Sequence, residues 1–477
     1  MIGAGIYVLT GSVVKNQAGP GIILSFLFSG VAALLSAFSY AELGARFPRA
    51  GSAYTYTYVT LGELWAFVIG WTVPLTQMIA TAAVARSWSA YFDTLVYKSV
   101  SNWTLSTFGP LSDASGPLTV LTFVIVCGLW YADFSLWSGT YPDGRSKFLP
   151  YGIEGALSGA PTCFFAFIGF EAIATAGEEA KNPHRTIPLA AFISLAIVCV
   201  IYVLMGASLT LMVPYDKVEP DAAFAAAFEL KGATAAKVIM SVGALAGMLN
   251  NLMIGAYSLP RSVYAIADDG LIFGWFGIIN SKTKTPLNAT IVFTILNAIV
   301  ALIFDLQALV DFLSIGVLLA YSLVSVCVII LRHQAHLIDG HDTDYDDVVG
   351  LLFGYVCIAL PFRTLIFTNI GGIILLIFSV VIAIASFVFI LGHEQNKCTT
   401  AYKVPFVPLI PCLGLLINIF MMIYLTYMTW IRLFVWLAIG VVVYLCYGMR
   451  HSKENKKLDS VAPPNIEMLK NEGSKVN

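Results

Sequence analysis

Long unbroken apolar stretches, rather than amphipathic stripes, set the rhythm of this chain. They run over 1–14, 20–43, 63–95, 118–132, 152–178, 187–213, 235–257, 286–304, 309–331, 349–368, 371–392, 404–425 and 430–447, with short polar connectors between them. A helix needs about 20 apolar residues to cross roughly 30 Å of hydrocarbon. Most of the blocks reach that length; 1–14 and 118–132 fall short. The pattern predicts an all-α, polytopic membrane protein in which residues 1–450 form one transmembrane domain. Residues 451–477 read as a polar cytoplasmic tail, expected to be disordered because it has too little apolar surface to bury.

Composition agrees with the pattern. Of 477 residues, 58% are hydrophobic and 11% charged, against roughly 25% charged in soluble domains. Mean hydropathy is +0.82. The net charge of −2 gives no reason to expect a nucleic-acid partner. The cysteines stand singly, without a CxxC pair, and most lie inside apolar blocks, where a free thiol behaves as a small hydrophobe. His184, His333, His336, His341, His393 and His451 all fall in connectors or the tail, so no metal site is expected within the spans. The spans hold no His-Glu metal motif and no Ser-Lys or Ser-His pair. The expectation is therefore no enzyme, no catalytic residues and no cofactor. No basic leader precedes the first apolar run, so no cleavable signal peptide is read.

Cytoplasmic loops collect Lys and Arg. Arg46, Arg49, Lys181, Arg185, Arg261, Lys282, Lys284, Arg332, Lys397 and Lys403 assign their connectors to the cytoplasm. Lys98, Arg145, Lys147, Lys217 and Lys231 fall on the opposite side. There Asn102-Trp103-Thr104 forms a glycosylation sequon, either used or fortuitous, while Asn288-Ala289-Thr290 on the inner side is expected to be silent. Parity raises a problem. An even number of crossings must separate Arg49 from Lys181, yet three apolar blocks lie between them. Block 118–132, about 22 Å long if helical, is the weak one. It is expected to be half-inserted or re-entrant, with Asn102 and Lys147 on one face, opposite Arg46 and Arg185.

A carrier of small polar solutes needs polar contacts at mid-membrane, and an interrupted helix supplies them from its own backbone. Two Gly-interrupted segments stand in corresponding places. The first is Gly3-Ala4-Gly5. The second is Gly159-Ala160-Pro161, continuing through Cys163, Phe165, Ala166 and Ile168 to Gly169-Phe170-Glu171. Each leads through a Pro-bearing connector into a long apolar block, which reads as a repeat of about five helices. Glycines of this kind also serve helix packing, and both readings remain open for each segment taken alone. Glu171, an acid among apolar residues, is a functional candidate; the alternative is an acid paired with a polar neighbour for structural reasons. Glu63 opens the block at 63–95. Either the helix dipole favours an acid there, or Glu63 guides an inner gate.

The same stretches resemble the cationic amino acid transporters of the amino acid–polyamine–organocation (APC) superfamily. The resemblance is carried by Gly3 to Leu9; Tyr40 to Arg46 with Pro48 to Tyr54; Gly62 to Phe67; Thr162 to Pro188; Leu259-Pro260-Arg261; Leu309-Val310-Asp311 with Ser314-Ile315-Gly316; and Trp430 to His451. It implies a five-plus-five inverted repeat with four further helices at the C-terminus. In that fold the substrate's amino and carboxyl groups would meet Ile2, Gly3, Ala4 and Gly5 on one side, and Cys163, Phe165, Ala166 and Ile168 on the other. Phe165 matches a gating aromatic, and Glu63 an acid linked to transport. Three departures stand out. Glu171 replaces the family's usual Asp. Asn250 and Asn251 replace small hydroxyl residues of the eighth helix. The repeat is incomplete at the first helix and at the fourth and fifth.

The expected function is transport of arginine, lysine or ornithine by alternating access, with Glu63, Phe165, Glu171, Asn250 and Asn251 in gating or transport roles. Two alternatives stay open: a neutral amino acid carrier, and a truncated isoform or incomplete gene model that does not transport. The partners are the amino acid and the lipid bilayer; the sequence names no accessory subunit. A multi-pass location in the plasma membrane is expected, with Asn102 as the candidate glycosylation site.

Overall fold

Inside hydrocarbon a backbone has no water to bond to, so a long apolar run folds on itself as a helix. The computed structural model describes residues 3, 5–47, 51–95, 117–141, 144–171, 173, 182–220, 222–280, 282, 285–304, 306–333, 370–392 and 402–452. Among them the elements are helical and no β-strand occurs. Six of these helices are long and apolar enough to cross a membrane. The described residues form an all-α bundle, that of a polytopic membrane protein.

The first helical run is not regular. It is π-helical over Gly5–Leu9, α-helical over Thr10–Val13 and π-helical again over Val14–Ala18. A bend at Gly19 (φ 59°) then leads into α1, Ile22–Arg46. A side chain would resist that left-handed conformation. The short α2, Ala53–Leu61, crosses to α3, Glu63–Leu95. After α4 (Pro117–Trp130) come α5 (Gly152–Phe164) and α6 (Pro183–Met212). A short α7 (Ala223–Leu230) precedes α8 (Thr234–Asp268), α9 (Leu287–Ile303) and α10 (Leu306–His333). The last three are α11 (Ile370–Gly392), α12 (Leu409–Tyr424) and α13 (Tyr427–Val443).

Packing follows the logic of helices in lipid, where small residues let backbones approach. α3 lies along α8, α1 along α6 and α5, and α10 against α3 and α12. A β-carbon on Gly30 of α1 would sit 2.7 Å from the Cys199 sulfur of α6. α13 is fastened to α3 by two tryptophans. Trp71 Nε1 donates to the Trp436 carbonyl at 3.0 Å, and Trp436 Nε1 donates to the Trp71 carbonyl at 3.2 Å. Their rings stack 4.8 Å apart.

The two ends of the bundle are told apart by contacts. At one end Arg332 and the Val404 N–H both donate to Glu42, while the C-terminal residues of the described chain reach Glu63 and Gly270. This is the inner end in the orientation expected from the Lys and Arg placement. At the other end the Asp133 N–H donates to the Leu211 carbonyl at 2.8 Å, and Lys147 Nζ donates to the Ser135 carbonyl at 3.2 Å. Lys147 therefore lies opposite Arg46 and Arg185, which sit at the far ends of α1 and α6. Asn102, the other marker of the parity argument and the candidate glycosylation site, lies outside the described residues.

The 118–132 block forms a helix of 14 residues, about 21 Å at 1.5 Å per residue. It is shorter than the hydrocarbon is thick and packs on α6 and α8. A β-carbon on its Gly128 would sit 2.8 Å from Cβ of Ser208. Of the stretch read as a tail, His451 ends the last helical turn and Ser452 is buried, while 453–477 lies outside the described residues.

Candidate functional site

The second Gly-interrupted segment departs from helix where the sequence places its aromatic and glycine residues. α5 tightens into a 3-10 turn over Phe165–Phe167. Ile168 is extended (ψ 141°) and Gly169 takes φ 116°, a conformation that a β-carbon resists. The helical hydrogen-bond ladder therefore stops, and other groups satisfy part of the freed backbone. The Gly169 N–H donates to Glu171 Oε2 at 2.8 Å. The Ala166 carbonyl accepts from the Tyr202 hydroxyl of α6 at 2.9 Å.

The first segment is treated in a parallel way. Its π-turns widen the ladder, and the Tyr7 carbonyl accepts from the Tyr91 hydroxyl of α3 at 2.6 Å. The Thr10 hydroxyl donates to the Ile6 carbonyl at 2.6 Å. The Tyr7 hydroxyl itself is fully buried and has no hydrogen-bond partner among the described residues. Such a group costs about 1–3 kcal/mol when left unmade.

The two segments meet. A β-carbon on Gly5 would stand 2.5 Å from Cα of Ala166 and 2.8 Å from its Cβ. The side-chain amide of Asn251, in the middle of α8, fills the space where a β-carbon on Gly3 would stand. Gly3, Gly5, Ala166 and Asn251 are thus brought together, with Phe165 and Cys163 buried beside them and Ile168 half-buried at the interruption. Asn250, one residue from Asn251, turns to the exposed side of α8. Ile2 and Ala4 lie outside the described residues.

Glu171 sits just past the interruption. Besides the Gly169 N–H, its Oε2 accepts from the Tyr321 hydroxyl of α10 at 2.7 Å. Tyr321 packs edge-on against Phe164 (5.7 Å) and Tyr40 (5.1 Å), and tilted against Phe170 (5.1 Å). A carboxylate, a tyrosine and an aromatic cage so link the interrupted segment to α1 and α10. Glu63 is not part of this cluster. It lies at the inner end, where its Oε1 accepts from the Tyr444 hydroxyl at 3.0 Å and its Oε2 from Ser452.

Sequence reasoning missed the buried ion pair of Glu42 and Arg332. Arg332 Nε lies 2.7 Å from Oε1 and Nη2 lies 2.9 Å from Oε2, and the Val404 N–H adds a third bond at 2.7 Å. The signal was present: an acid amid Tyr40-Ala41-Leu43 and an arginine closing an apolar block call for a partner in the membrane. It also missed Tyr91, Tyr202 and Tyr321, whose hydroxyls in apolar blocks needed acceptors. No group of three or more His, Cys, Asp or Glu residues that could hold a metal ion occurs among the described residues.

Comparison with known proteins decides the family. The amino acid permease family models match residues 1–141 and 116–342, and a model of the permease C-terminus matches 402–452. The chain is 38% identical to "Cationic amino acid transporter 4" of Mus musculus, over 96% of this chain and 86% of the relative. It is 37% identical to the Homo sapiens protein of the same name, with the same coverage. It is 31% identical to "Cationic amino acid transporter 3, mitochondrial" of Arabidopsis thaliana, over 94% of this chain and 88% of that one. The chain belongs to the cationic amino acid transporter family. Members of this family are amino acid permeases rather than enzymes, and this chain is a multi-pass membrane permease with a small amino acid as its substrate. The match to the mouse cationic amino acid transporter spans 550 positions, more than the 477 residues of the chain. The relative therefore carries internal segments with no counterpart here.

Proposed function

We propose that this permease carries cationic amino acids by alternating access, binding the substrate where the first and second Gly-interrupted segments meet. The observation that carries the reading is the contact of Gly5 with Ala166 beside the stopped ladder at Ile168 and Gly169. Backbone N–H and C=O groups freed there suit a carboxylate and an ammonium. In this reading Ile2, Gly3, Ala4 and Gly5 line one site together with Cys163, Phe165, Ala166 and Ile168. Phe165 closes over it, Asn251 lines the first segment, and Glu171 supplies negative charge at one edge. Relatives named for cationic substrates support arginine, lysine or ornithine as the cargo.

Uptake of labelled arginine into vesicles holding the purified chain tests this. Saturable uptake, competed by lysine and ornithine and not by alanine, supports it. Competition by alanine at equal concentration would move the assignment to neutral amino acids.

A second reading, that this form does not transport, is favoured by the internal segments of the mouse relative that have no counterpart here. Vesicles that take up arginine only when those segments are restored would establish it. Plasma-membrane residence and glycosylation at Asn102 belong to the same proposal. Relatives named mitochondrial and vacuolar make imaging of the tagged full chain the deciding measurement for location. A mobility shift on glycosidase treatment, lost in Asn102→Gln, decides the modification.

A further inference from the structure

Glu63 starts α3 directly after Gly62, and both of its carboxylate oxygens are taken by one short stretch of chain. That stretch is the π-turn Tyr444–Gly448 and the turn Met449–His451 with Ser452 after it. Tyr444 donates to Oε1 at 3.0 Å and Ser452 to Oε2. Ser452 is 1% exposed.

The same stretch also grips the connector after α8. Tyr447 accepts the Gly274 N–H at 3.3 Å, its ring lies 4.9 Å from that of Phe273, and it stacks on His451 at 4.1 Å. The His451 carbonyl occupies the place where a β-carbon on Gly270 would stand. On the other side of that connector, the Tyr54 hydroxyl donates to Asp269 at 2.7 Å. Two long helices packed along their length, α3 and α8, are thereby tied together again at their inner ends by residues from the far C-terminal part of the chain.

We propose that Tyr444–Ser452 is a strap across the inner mouth, that Glu63 is its anchor, and that Glu63 governs transport through this strap as a positioning residue rather than by touching substrate. The inference rests only on the chain being an amino acid permease. A carboxylate at this place can accept both hydroxyls at once. A glutamine keeps the shape, accepting from one hydroxyl and donating to the other. An alanine holds neither. An acid that worked by attracting a cationic substrate would behave differently, since glutamine would then fail as badly as alanine.

The test uses the full chain reconstituted in vesicles, with two readings on each variant. The first is hydrogen exchange of the 444–452 amides; the second is the ratio of efflux to influx rate for labelled arginine. Glu63→Ala and the double variant Tyr444→Phe/Ser452→Ala are expected to speed exchange by about tenfold or more and to shift the flux ratio in the same direction. Glu63→Gln is expected to stay within about twofold of the unaltered chain in both. Glu63→Gln as impaired as Glu63→Ala while exchange stays slow overturns the proposal, and so does a double variant with unaltered exchange and flux ratio. If the unaltered chain carries no arginine, the cationic-substrate reading fails on its own. The exchange ordering of the variants then decides the strap: Glu63→Ala protected like the unaltered chain refutes it.

Discussion

Gly5 and Ala166 touch backbone to backbone, 2.5 Å from the β-carbon position of one to the α-carbon of the other. Gly5→Ala therefore has to push the two glycine-bearing segments apart, and overpacking of this kind costs about 1–3 kcal/mol. Arginine uptake should fall by about tenfold or more, since 1.4 kcal/mol already corresponds to a factor of ten. Adding Ala166→Gly should rescue little, because the nearest atom is main chain. Full rescue in the double variant would mean that the segments are not held in this contact during transport.

Removing the Tyr202 hydroxyl tests the neighbouring carbonyl. Tyr202→Phe leaves the buried Ala166 oxygen without its hydroxyl donor, a loss of about 1–3 kcal/mol. The melting temperature in detergent should drop. If the site lies here, KM for arginine should change as well. A drop in melting temperature at constant KM would confine Tyr202 to a structural part.

For Glu171, geometry and charge can be separated. Glu171→Gln keeps an oxygen for the Gly169 N–H and the Tyr321 hydroxyl, so surface protein should be preserved while the transport rate falls strongly. Tyr321→Phe keeps the charge and removes one charge-assisted bond, about 1.5–3 kcal/mol, so its larger effect should be on stability. Equal loss of surface protein in both variants would assign Glu171 to folding.

The Glu42–Arg332 pair predicts an asymmetry. Both side chains are nearly inaccessible, 2% and 8% exposed. Removing one partner strands a buried charge at a cost of about 3–5 kcal/mol, whereas replacing both with apolar residues of similar volume is far milder. Glu42→Ala and Arg332→Ala should each abolish the monodisperse peak in size-exclusion chromatography, and Glu42→Leu/Arg332→Met should recover part of it. Val404 keeps recovery incomplete, because its N–H loses an acceptor.

What the sequence disclosed followed the range of the interaction. Spans such as 187–213 and 309–331 were legible because one residue after another repeats the same preference for lipid. The segment from Cys163 to Glu171 was legible because glycine, aromatics and an acid stand side by side in it. The partners that complete the site were not. Tyr91, Tyr202 and Tyr321 look like any aromatic in an apolar block until the fold aims their hydroxyls at a carbonyl or carboxylate. Arg332 served only as a marker of sidedness, since its partner is 290 residues away. Ser452 read as part of a polar tail, because nothing local to it announces Glu63.

The paired tryptophans of α3 and α13 restrict how this permease can move. Each indole is keyed to the main chain of the opposite helix, so a slide by one turn or a twist about either axis would strand two N–H donors in oil. Gly440 sharpens the fit, since a β-carbon there would stand 2.5 Å from the Trp71 ring. The two helices are consequently clamped to each other as one plank, and under the alternating-access proposal any swing would have to pivot against that plank rather than within it.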